Sequence, residues 1–321
     1  DMTRSRGLGD VYKRQMRDQP PADASINNWV NQFLPTVCIP YARLARLDRP
    51  IGNWLLFWPC LWGVWLAQLE TGLVPLSQTI YISSLFALGA IVMRGAGCTY
   101  NDIVDRDYDG KVERSRNRPL PAGQISVKQA WVFLIVQCLI GLSVLLQFNQ
   151  QTIALGVLSL VPIAIYPFMK RFTWWPQLFL GIAFNWGVLM GYAALTGNIS
   201  SSAGMVYVAA IFWTVGYDTI YAHQDREDDA IIGLKSSAIR LGDKTHTALW
   251  IIYSLSVLCF LTAGVMAFAG LWFYLIMGGV ALHLAWQIIN TDISDSDKCL
   301  VVFKSNRNLG FIIMIAFAFS L

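Results

Sequence analysis

Charged residues are scarce in this chain of 321 residues. Asp, Glu, Lys and Arg together make up 14% of the sequence, whereas an ordinary soluble domain contains about 25%. Hydrophobic residues account for 55%, and the mean hydropathy is +0.47. This composition excludes a single soluble domain and a disordered chain. We therefore predict a polytopic membrane protein.

Several common functional signals are also absent. The net charge of +4 is too small for a dedicated nucleic-acid-binding protein, so no nucleic-acid partner is expected. The six cysteines are scattered, with no CxxC pair and no zinc-like spacing. The chain contains no phosphate-binding glycine loop, no Ser/His/Asp order and no HExxH motif. Any chemistry must therefore come from other residues.

Long uncharged runs are abundant, and each approaches the roughly 20 residues that a helix needs to cross a hydrocarbon core. All but one of the 24 Lys and Arg residues fall before the first run or in alternate connections, which the positive-inside rule places in the cytoplasm. We predict an all-α, polytopic membrane helix bundle of eight to nine transmembrane helices, with a cytoplasmic N-terminus. The runs are 51–69, 79–98, 129–147, 152–168, 176–195, 203–222, 247–268 and 271–289, with a ninth that starts near Leu309 and is short for a span.

The first residues are polar and differ from the rest of the chain. They contain no apolar stretch, so no cleavable secretion signal is expected. We interpret residues 1–35 as an N-terminal extension, disordered or non-native, and residues 36–321 as a single transmembrane domain.

Acidic residues cluster in two of the predicted cytoplasmic connections, 101–109 and 218–229. On a helix that continues out of its span, residues four apart share a face, so Asn101, Asp105 and Asp109 align, as do Asp225 and Asp229. Asp218 lies seven residues before Asp225 and joins that face. Stacked carboxylates repel each other unless a cation is bound, and hard oxygen ligands suit Mg²⁺ together with substrate phosphates. We expect the two clusters to flank one diphosphate, the alternative being two solvated acidic loops.

Basic residues accompany these clusters, where they would bind phosphate oxygens or simply follow the positive-inside rule. Arg94 is unusual because it lies inside a span, where a guanidinium generally faces a bundle interior or snorkels to the interface. Arg46 and Arg49 precede the first span and are close enough in sequence to reach the same cavity mouth. The spacing of Gly187 and Gly191 favours close helix packing.

Four stretches resemble the UbiA superfamily of intramembrane prenyltransferases, in its 4-hydroxybenzoate polyprenyltransferase branch. They are NDIVDRDYDGKVERSRNRPLPAG (101–123), YDTIYAHQDREDDAIIGLKSSA (217–238), YPFMKRFTWWPQLFLGIAFNWG (166–187) and RLDRPIGNWLLFWPCLWG (46–63). The resemblance extends from about Tyr41 to Arg307.

The resemblance implies nine helices around a central cavity and a Mg²⁺-dependent reaction. A polyprenyl group would pass from a polyprenyl diphosphate to the ring carbon ortho to the hydroxyl of 4-hydroxybenzoate, in ubiquinone synthesis, within membrane lipid. The implied metal ligands are Asn101, Asp105, Asp109, Asp225 and Asp229, and the implied catalytic acids are Asp102, Asp105, Asp218, Asp225 and Asp229. Substrate-binding candidates are Arg49, Lys111, Arg118, Lys170 and Arg171, with Tyr166 facing a developing cation and Arg94 or Arg49 binding the acceptor carboxylate.

Two alternatives stay open. One is a prenyltransferase for another aromatic or tetrapyrrole acceptor, and the other is a cation transporter, although transporters usually place such acids near the bilayer midplane. For location we prefer the bacterial plasma membrane to the mitochondrial inner membrane, because no Arg- and Ser-rich amphipathic presequence stands out.

Overall fold

The computed structural model describes residues 28–72, 74–110 and 115–320. Helices occupy most of these residues, and no strand occurs among them. Within the described ranges, eight helical segments are long and apolar enough to cross a membrane. The prediction of an all-α polytopic membrane protein is therefore confirmed.

The helices follow the predicted hydrophobic runs closely. In chain order they are α1 Trp29–Phe33, α2 Ile39–Leu44, α3 Ile51–Thr71, α4 Leu76–Asp109, α5 Val127–Leu145, α6 Gln150–Leu158, α7 Leu160–Phe172, α8 Pro176–Phe184, α9 Trp186–Thr196, α10 Ser201–Ala222, α11 Arg226–Ile231, α12 Ser237–Leu241, α13 Thr245–Met266, α14 Leu271–Asn290 and α15 Ser296–Ala318. Short 3₁₀ turns occupy His223–Asp225 and Gly242–Lys244. Helix α3 has 21 residues, including four tryptophans, and has the length of a span although it is not one of the eight.

Two of the predicted runs are each interrupted once. Between α6 and α7 the break falls at Ser159, where Pro162 has no N–H to donate to the Leu158 carbonyl. Between α8 and α9 it falls at Asn185, whose buried side-chain amide donates to the Gly181 carbonyl at 2.8 Å and the Thr214 hydroxyl at 2.8 Å. Both breaks therefore have a local cause that hydropathy does not register.

The prediction of a short last span starting near Leu309 was wrong. Helix α15 begins at Ser296 and has 23 residues. Asp295 caps it by accepting hydrogen bonds from the backbone N–H groups of Asp297 and Lys298. The basic residues Lys298, Lys304 and Arg307 lie within this helix. Lys and Arg lower the hydropathy of a segment, which hid the start of the helix, but they are good helix formers.

The chain divides into two compact units, each with its own core. Among the described residues, unit 1 comprises 28–50, 92–110 and 115–140, and unit 2 comprises 51–72, 74–91 and 141–320. The described core of unit 1 is small and is built around Leu44 and Ala130, which are fully buried. Unit 2 has a large aromatic core that includes Trp62, Trp213 and Phe260.

Close glycine contacts join α3 and α9 within unit 2. A Cβ atom added to Gly191 would lie 2.1 Å from the Cys60 carbonyl oxygen, and one added to Gly63 would lie 2.1 Å from the Val188 carbonyl oxygen. At Gly187 the nearest atom would be the Cys60 sulfur, at 2.5 Å. The predicted close packing at Gly187 and Gly191 is therefore confirmed, because only glycine permits this approach of the two backbones.

Candidate active-site motifs

The first acidic motif forms the end of α4, in unit 1. Helix α4 has 34 residues, or about 51 Å at 1.5 Å per residue, which exceeds a hydrocarbon core of roughly 30 Å. The prediction that the helix continues out of its span is therefore confirmed. Asp102, Asp105 and Asp109 are buried, Asn101 is half-buried and Asp107 is exposed. The buried face is thus 102, 105 and 109, with Asn101 beside it.

Two arginines neutralise two of the three buried acids of this motif, Asp102 and Asp109. Arg46 donates from Nη2 to Asp102 Oδ1 at 2.7 Å, and both side chains are buried. Arg118 donates from Nη1 to Asp109 Oδ2 at 2.7 Å and lies 3.3 Å from Asp102 Oδ1. Because a buried carboxylate requires a charged or hydrogen-bonding partner, these contacts explain how Asp102 and Asp109 tolerate their burial.

The sequence placed Arg46 near the predicted cavity mouth but gave it no role in the acidic motif. Its backbone has a φ of 57°, which is rare for a residue with a side chain. Its Nη1 also donates to the Arg43 carbonyl at 3.0 Å. In the sequence, only its place in the RLDRP stretch before α3 pointed to Arg46. Its partner Asp102 lies 56 residues away in sequence.

The other unit 1 candidates have local partners. Arg49 lies 3.4 Å from Asp48 Oδ2, and the half-buried Arg94 contacts the Cys98 sulfur one turn further along α4. Lys111 lies outside the described residues.

The second motif, in unit 2, is broken where a continuous helix was predicted. Helix α10 ends at Ala222, a 3₁₀ turn covers His223–Asp225, and α11 begins at Arg226. Three residues at 3.0 per turn add a rotation of about 60° relative to an α-helix. The prediction of one continuous helix through this motif was therefore wrong, although this rotation leaves Asp218 and Asp225 only about 40° apart around the axis, still on one side. Asp225 precedes α11 and Asp229 lies in its first turn, and all three acids are half-buried.

Basic residues at the end of α7 lie beside the loop that follows the second motif. The Lys235 N–H donates to the Lys170 carbonyl at 2.8 Å, and the Lys235 ammonium donates to the Phe172 carbonyl at 3.2 Å. Arg171 lies over the Phe168 ring, while the half-buried Tyr166 is one turn before Lys170. Unit 2 therefore brings the end of α7, at Lys170 and Phe172, next to the connection after α11.

The donor chemistry of these motifs fits Mg²⁺ together with substrate oxygens. Within the described ranges, no three His, Cys, Asp or Glu side chains converge as a complete metal cage. Mg²⁺ does not need such a cage, since it usually takes one or two carboxylates, several waters and substrate phosphates. Asp102 Oδ2 is buried and has no hydrogen-bond partner among the described residues, so one oxygen of this carboxylate is available for a ligand.

Comparison with known proteins identifies the family of the chain. The UbiA prenyltransferase family model matches residues 56–315. The chain is 45% identical over 321 residues to a protein of Aedes aegypti, covering 98% of this chain and 70% of that protein. It is 48% identical over 279 residues to a protein of Homo sapiens, covering 86% of this chain and 74% of that protein. Both relatives are named 4-hydroxybenzoate polyprenyltransferase, mitochondrial.

Solved structures share the fold. A UbiA homolog from Aeropyrum pernix K1 superposes with a TM-score of 0.69 at 25% identity, covering 81% of this chain and 96% of that one. A UbiA homolog from Archaeoglobus fulgidus bound to GPP and Mg²⁺ gives a TM-score of 0.62 at 21% identity, covering 85% of this chain and 99% of that one. The resemblance predicted from the motifs is therefore confirmed, and the chain belongs to the UbiA prenyltransferase family.

Proposed function

We propose that this protein transfers a polyprenyl group from a polyprenyl diphosphate to the ring carbon ortho to the hydroxyl of 4-hydroxybenzoate, releasing diphosphate, in ubiquinone synthesis. The observation that carries the proposal is the identity of 45% and 48% to two relatives named 4-hydroxybenzoate polyprenyltransferase. The buried acids at the end of α4 add the chemical support, because they are carboxylates suited to a metal–diphosphate ligand.

The metal in this proposal is Mg²⁺, which a solved homologue from Archaeoglobus fulgidus binds together with GPP. The proposed ligands in the first motif are Asn101, Asp105 and Asp109, with Asp102 as a neighbouring acid. Those in the second motif are Asp225 and Asp229, with Asp218 as a neighbouring acid. When bound, Mg²⁺ would neutralise charge that develops on the diphosphate as the allylic C–O bond breaks.

Basic side chains would take the rest of the diphosphate charge. In this proposal five basic side chains bind the phosphate oxygens through charge-assisted hydrogen bonds, which stabilise the diphosphate charge strongly. They are Arg118, Lys111, Lys170, Arg171 and Arg49. Arg118 already contacts the oxygens of Asp109 and Asp102, so diphosphate and these carboxylates would share its guanidinium.

Two further side chains have proposed roles toward the organic substrates. Tyr166 would face the allylic cation, since aromatic faces attract cations. Arg94 or Arg49 would bind the carboxylate of 4-hydroxybenzoate. The apolar helices would exclude water, which would otherwise quench the cation.

A transfer assay in membranes tests the proposal. Labelled 4-hydroxybenzoate is supplied with prenyl diphosphates of several lengths, with and without Mg²⁺, and with a naphthoate and homogentisate as competing acceptors. We expect Mg²⁺-dependent prenylation of 4-hydroxybenzoate, and we expect Asp105→Asn or Asp225→Asn to abolish it. The matched control is Asp107→Asn, because that side chain is exposed and should retain near wild-type turnover. Wild-type turnover in either of the first two variants would contradict the proposed site.

We place the protein in the mitochondrial inner membrane, with residues 36–321 as one prenyltransferase domain. The relatives from Aedes aegypti, Homo sapiens and Arabidopsis thaliana are all named mitochondrial, which favours this location over the bacterial plasma membrane. Fractionation of the source cells with an inner-membrane marker would test the assignment. The prediction of a disordered or non-native extension is wrong for residues 28–35, because Trp29–Phe33 form helix α1 with Val30 fully buried. For the residues before Asn28 the extension stays a proposal, which limited proteolysis would test.

A further inference from the structure

Only one side chain of the second acidic motif lies deep inside unit 2. Of residues 221–231, all of which the structure describes, His223 alone is buried, with 7% of its surface exposed. The rest of the 3₁₀ turn is half-buried, and α11 contains no buried residue. The proposed ligands Asp225 and Asp229 therefore lie on a segment with little burial of its own, and such segments open easily unless something anchors them.

His223 is bound through one ring nitrogen to the start of α13. Its Nε2 lies 3.1 Å from the hydroxyl oxygen of Thr245. That hydroxyl donates its single hydrogen to the Gly242 carbonyl at 2.6 Å, so toward His223 its oxygen acts as the acceptor. The bond therefore has a defined direction, from the imidazole N–H at Nε2 to the threonine hydroxyl.

Thr245 belongs to a firmly packed part of unit 2. It is fully buried and is the first residue of the 22-residue helix α13. Its neighbour His246 places Nε2 3.0 Å from the Thr291 carbonyl, just after α14. A Cβ atom added to Gly216 of α10 would lie 2.1 Å from the Tyr253 ring of α13, so these two helices pack closely. His223 thus connects the motif to a part of the bundle that neighbouring helices hold in place.

The 3₁₀ turn sets the distance between Asp218 and Asp225. Its three residues rise by about 2.0 Å each instead of 1.5 Å, which moves Asp225 about 1.5 Å further along the axis. Asp225 has a φ of −111° and a ψ of 9°, outside the range of a regular helix. Metal–ligand distances tolerate deviations of only about 0.2 Å. Loss of this turn would therefore displace Asp225 by more than a bound metal allows.

We propose that His223 is a positioning residue of the second motif. Its hydrogen bond to Thr245 fixes the 3₁₀ turn, and the turn holds Asp225 where it meets Mg²⁺ and the diphosphate. This inference rests on the proposed function, because it takes Asp225 as a metal–diphosphate ligand. His223 acts through the backbone, since its Nε2 is committed to Thr245.

Mg²⁺-dependent binding of geranyl diphosphate tests the proposal without requiring turnover. The purified full chain in detergent is titrated with geranyl diphosphate by calorimetry at several Mg²⁺ concentrations. We expect His223→Leu to raise the Mg²⁺ concentration for half-maximal binding about tenfold, as loss of a residue that orients a metal ligand generally does. In a parallel transfer assay, KM should rise while kcat at saturating Mg²⁺ stays near the wild-type value.

The matched control is His283→Leu. His283 also contacts a hydroxyl through Nε2, that of Ser305 at 3.1 Å, but it lies in α14, outside the motif. This variant should bind geranyl diphosphate with the wild-type Mg²⁺ dependence. An equal shift in both variants would overturn the proposal, because the effect would then be a general consequence of removing a histidine from the bundle.

Hydrogen exchange in the metal-free protein tests the anchor itself. Backbone amides of residues 223–231 should exchange faster in His223→Leu than in the wild type, while those in the middle of α13 should not change. Should His223→Leu fail to fold, Thr245→Val gives the same comparison, with Thr245→Ser as the control that keeps the hydroxyl. Unchanged exchange or an unchanged Mg²⁺ dependence in the folded variant would overturn the proposal.

A conservative variant shows which ring nitrogen matters. The buried Nδ1 of His223 has no hydrogen-bond partner among the described residues. His223→Gln keeps an N–H near the Nε2 position and removes the acceptor at Nδ1, so it should restore binding. Failure to restore it would overturn the proposal, because Nδ1 would then contact the ligand directly. Absence of prenyl transfer by the wild type would contradict the proposed function instead, while the binding comparison still decides the role of His223.

Discussion

The ion pair of Arg46 and Asp102 should contribute more to stability than any exposed ion pair in the first motif. Its donor–acceptor distance is 2.7 Å, and the side chains are 9% and 0% exposed. Breaking a buried pair by removing one partner costs about 3–5 kcal/mol, because the other charge stays buried. Asp102 would keep Arg118 at 3.3 Å, so we expect Arg46→Met to cost about 3 kcal/mol, the lower end of that range.

A double-mutant cycle isolates this contribution. Asp102→Leu leaves Arg46 as the unpaired charge, whereas the variant with both substitutions removes both charges. The double variant should therefore be less destabilised than the sum of the two single variants, by about 2 kcal/mol. The free energy of unfolding is measured by titrating the purified protein in mixed micelles with a denaturing detergent and following far-ultraviolet circular dichroism.

The matched control is Arg106→Met in α4, the helix that contains Asp102. Arg106 lies 3.3 Å from Asp107, but the side chains are 47% and 81% exposed. Such exposed pairs contribute about 0–1 kcal/mol. The reasoning fails if Arg46→Met costs no more than Arg106→Met, or if the effects of Arg46→Met and Asp102→Leu are simply additive.

Three further substitutions have clear expected outcomes. Gly191→Ala should destabilise the protein by about 1–3 kcal/mol, since the added methyl meets the backbone of α3 at 2.1 Å. Its control Gly204→Ala has nothing within 4 Å of the added methyl and should stabilise the protein by up to about 1 kcal/mol. The same detergent titration compares the two variants, and equal effects would contradict the packing argument. Asp295→Ala should cost about 1 kcal/mol through loss of the α15 cap, and an unchanged unfolding midpoint would show that the cap contributes nothing. Lys235→Met keeps the backbone hydrogen bond to the Lys170 carbonyl but loses the hydrogen bond from the ammonium group to the Phe172 carbonyl. The KM for prenyl diphosphate should therefore rise by less than about tenfold. Loss of all transfer would instead assign this lysine directly to the diphosphate.

Hydropathy predicted the helical spans because it measures what decides membrane insertion, the transfer of side chains into an apolar medium. It missed the start of α15 because Lys298, Lys304 and Arg307 disfavour transfer without disfavouring helix. Gly187 and Gly191 were recognisable because the small-residue spacing itself describes a surface that another helix can approach.

The second acidic motif shows the limit of periodicity. The spacing of Asp218, Asp225 and Asp229 predicts one uninterrupted helix through the motif. The 3₁₀ turn at His223–Asp225 breaks that premise, and the pattern of acids alone contains nothing that marks it. Buried His223 pairs with the hydroxyl of Thr245, 22 residues later, so part of what holds the turn comes from tertiary contact.

The partners of the first motif were hidden for a related reason, and they change how its acids are understood. Spacing along α4 describes which carboxylates are neighbours, but their burial is tolerated because Arg46 and Arg118 approach from other segments. Asp102 has Oδ1 bound to both arginines, while its buried Oδ2 has no partner among the described residues. When one oxygen of a carboxylate is held by hydrogen bonds, the orientation of its second oxygen is fixed as well. Arg46 would therefore act as a positioning residue that fixes Asp102 within the motif. It follows that Arg46→Met should disturb the orientation of Asp102 beside the proposed ligands Asp105 and Asp109, even though the Arg46 guanidinium is already committed to the protein.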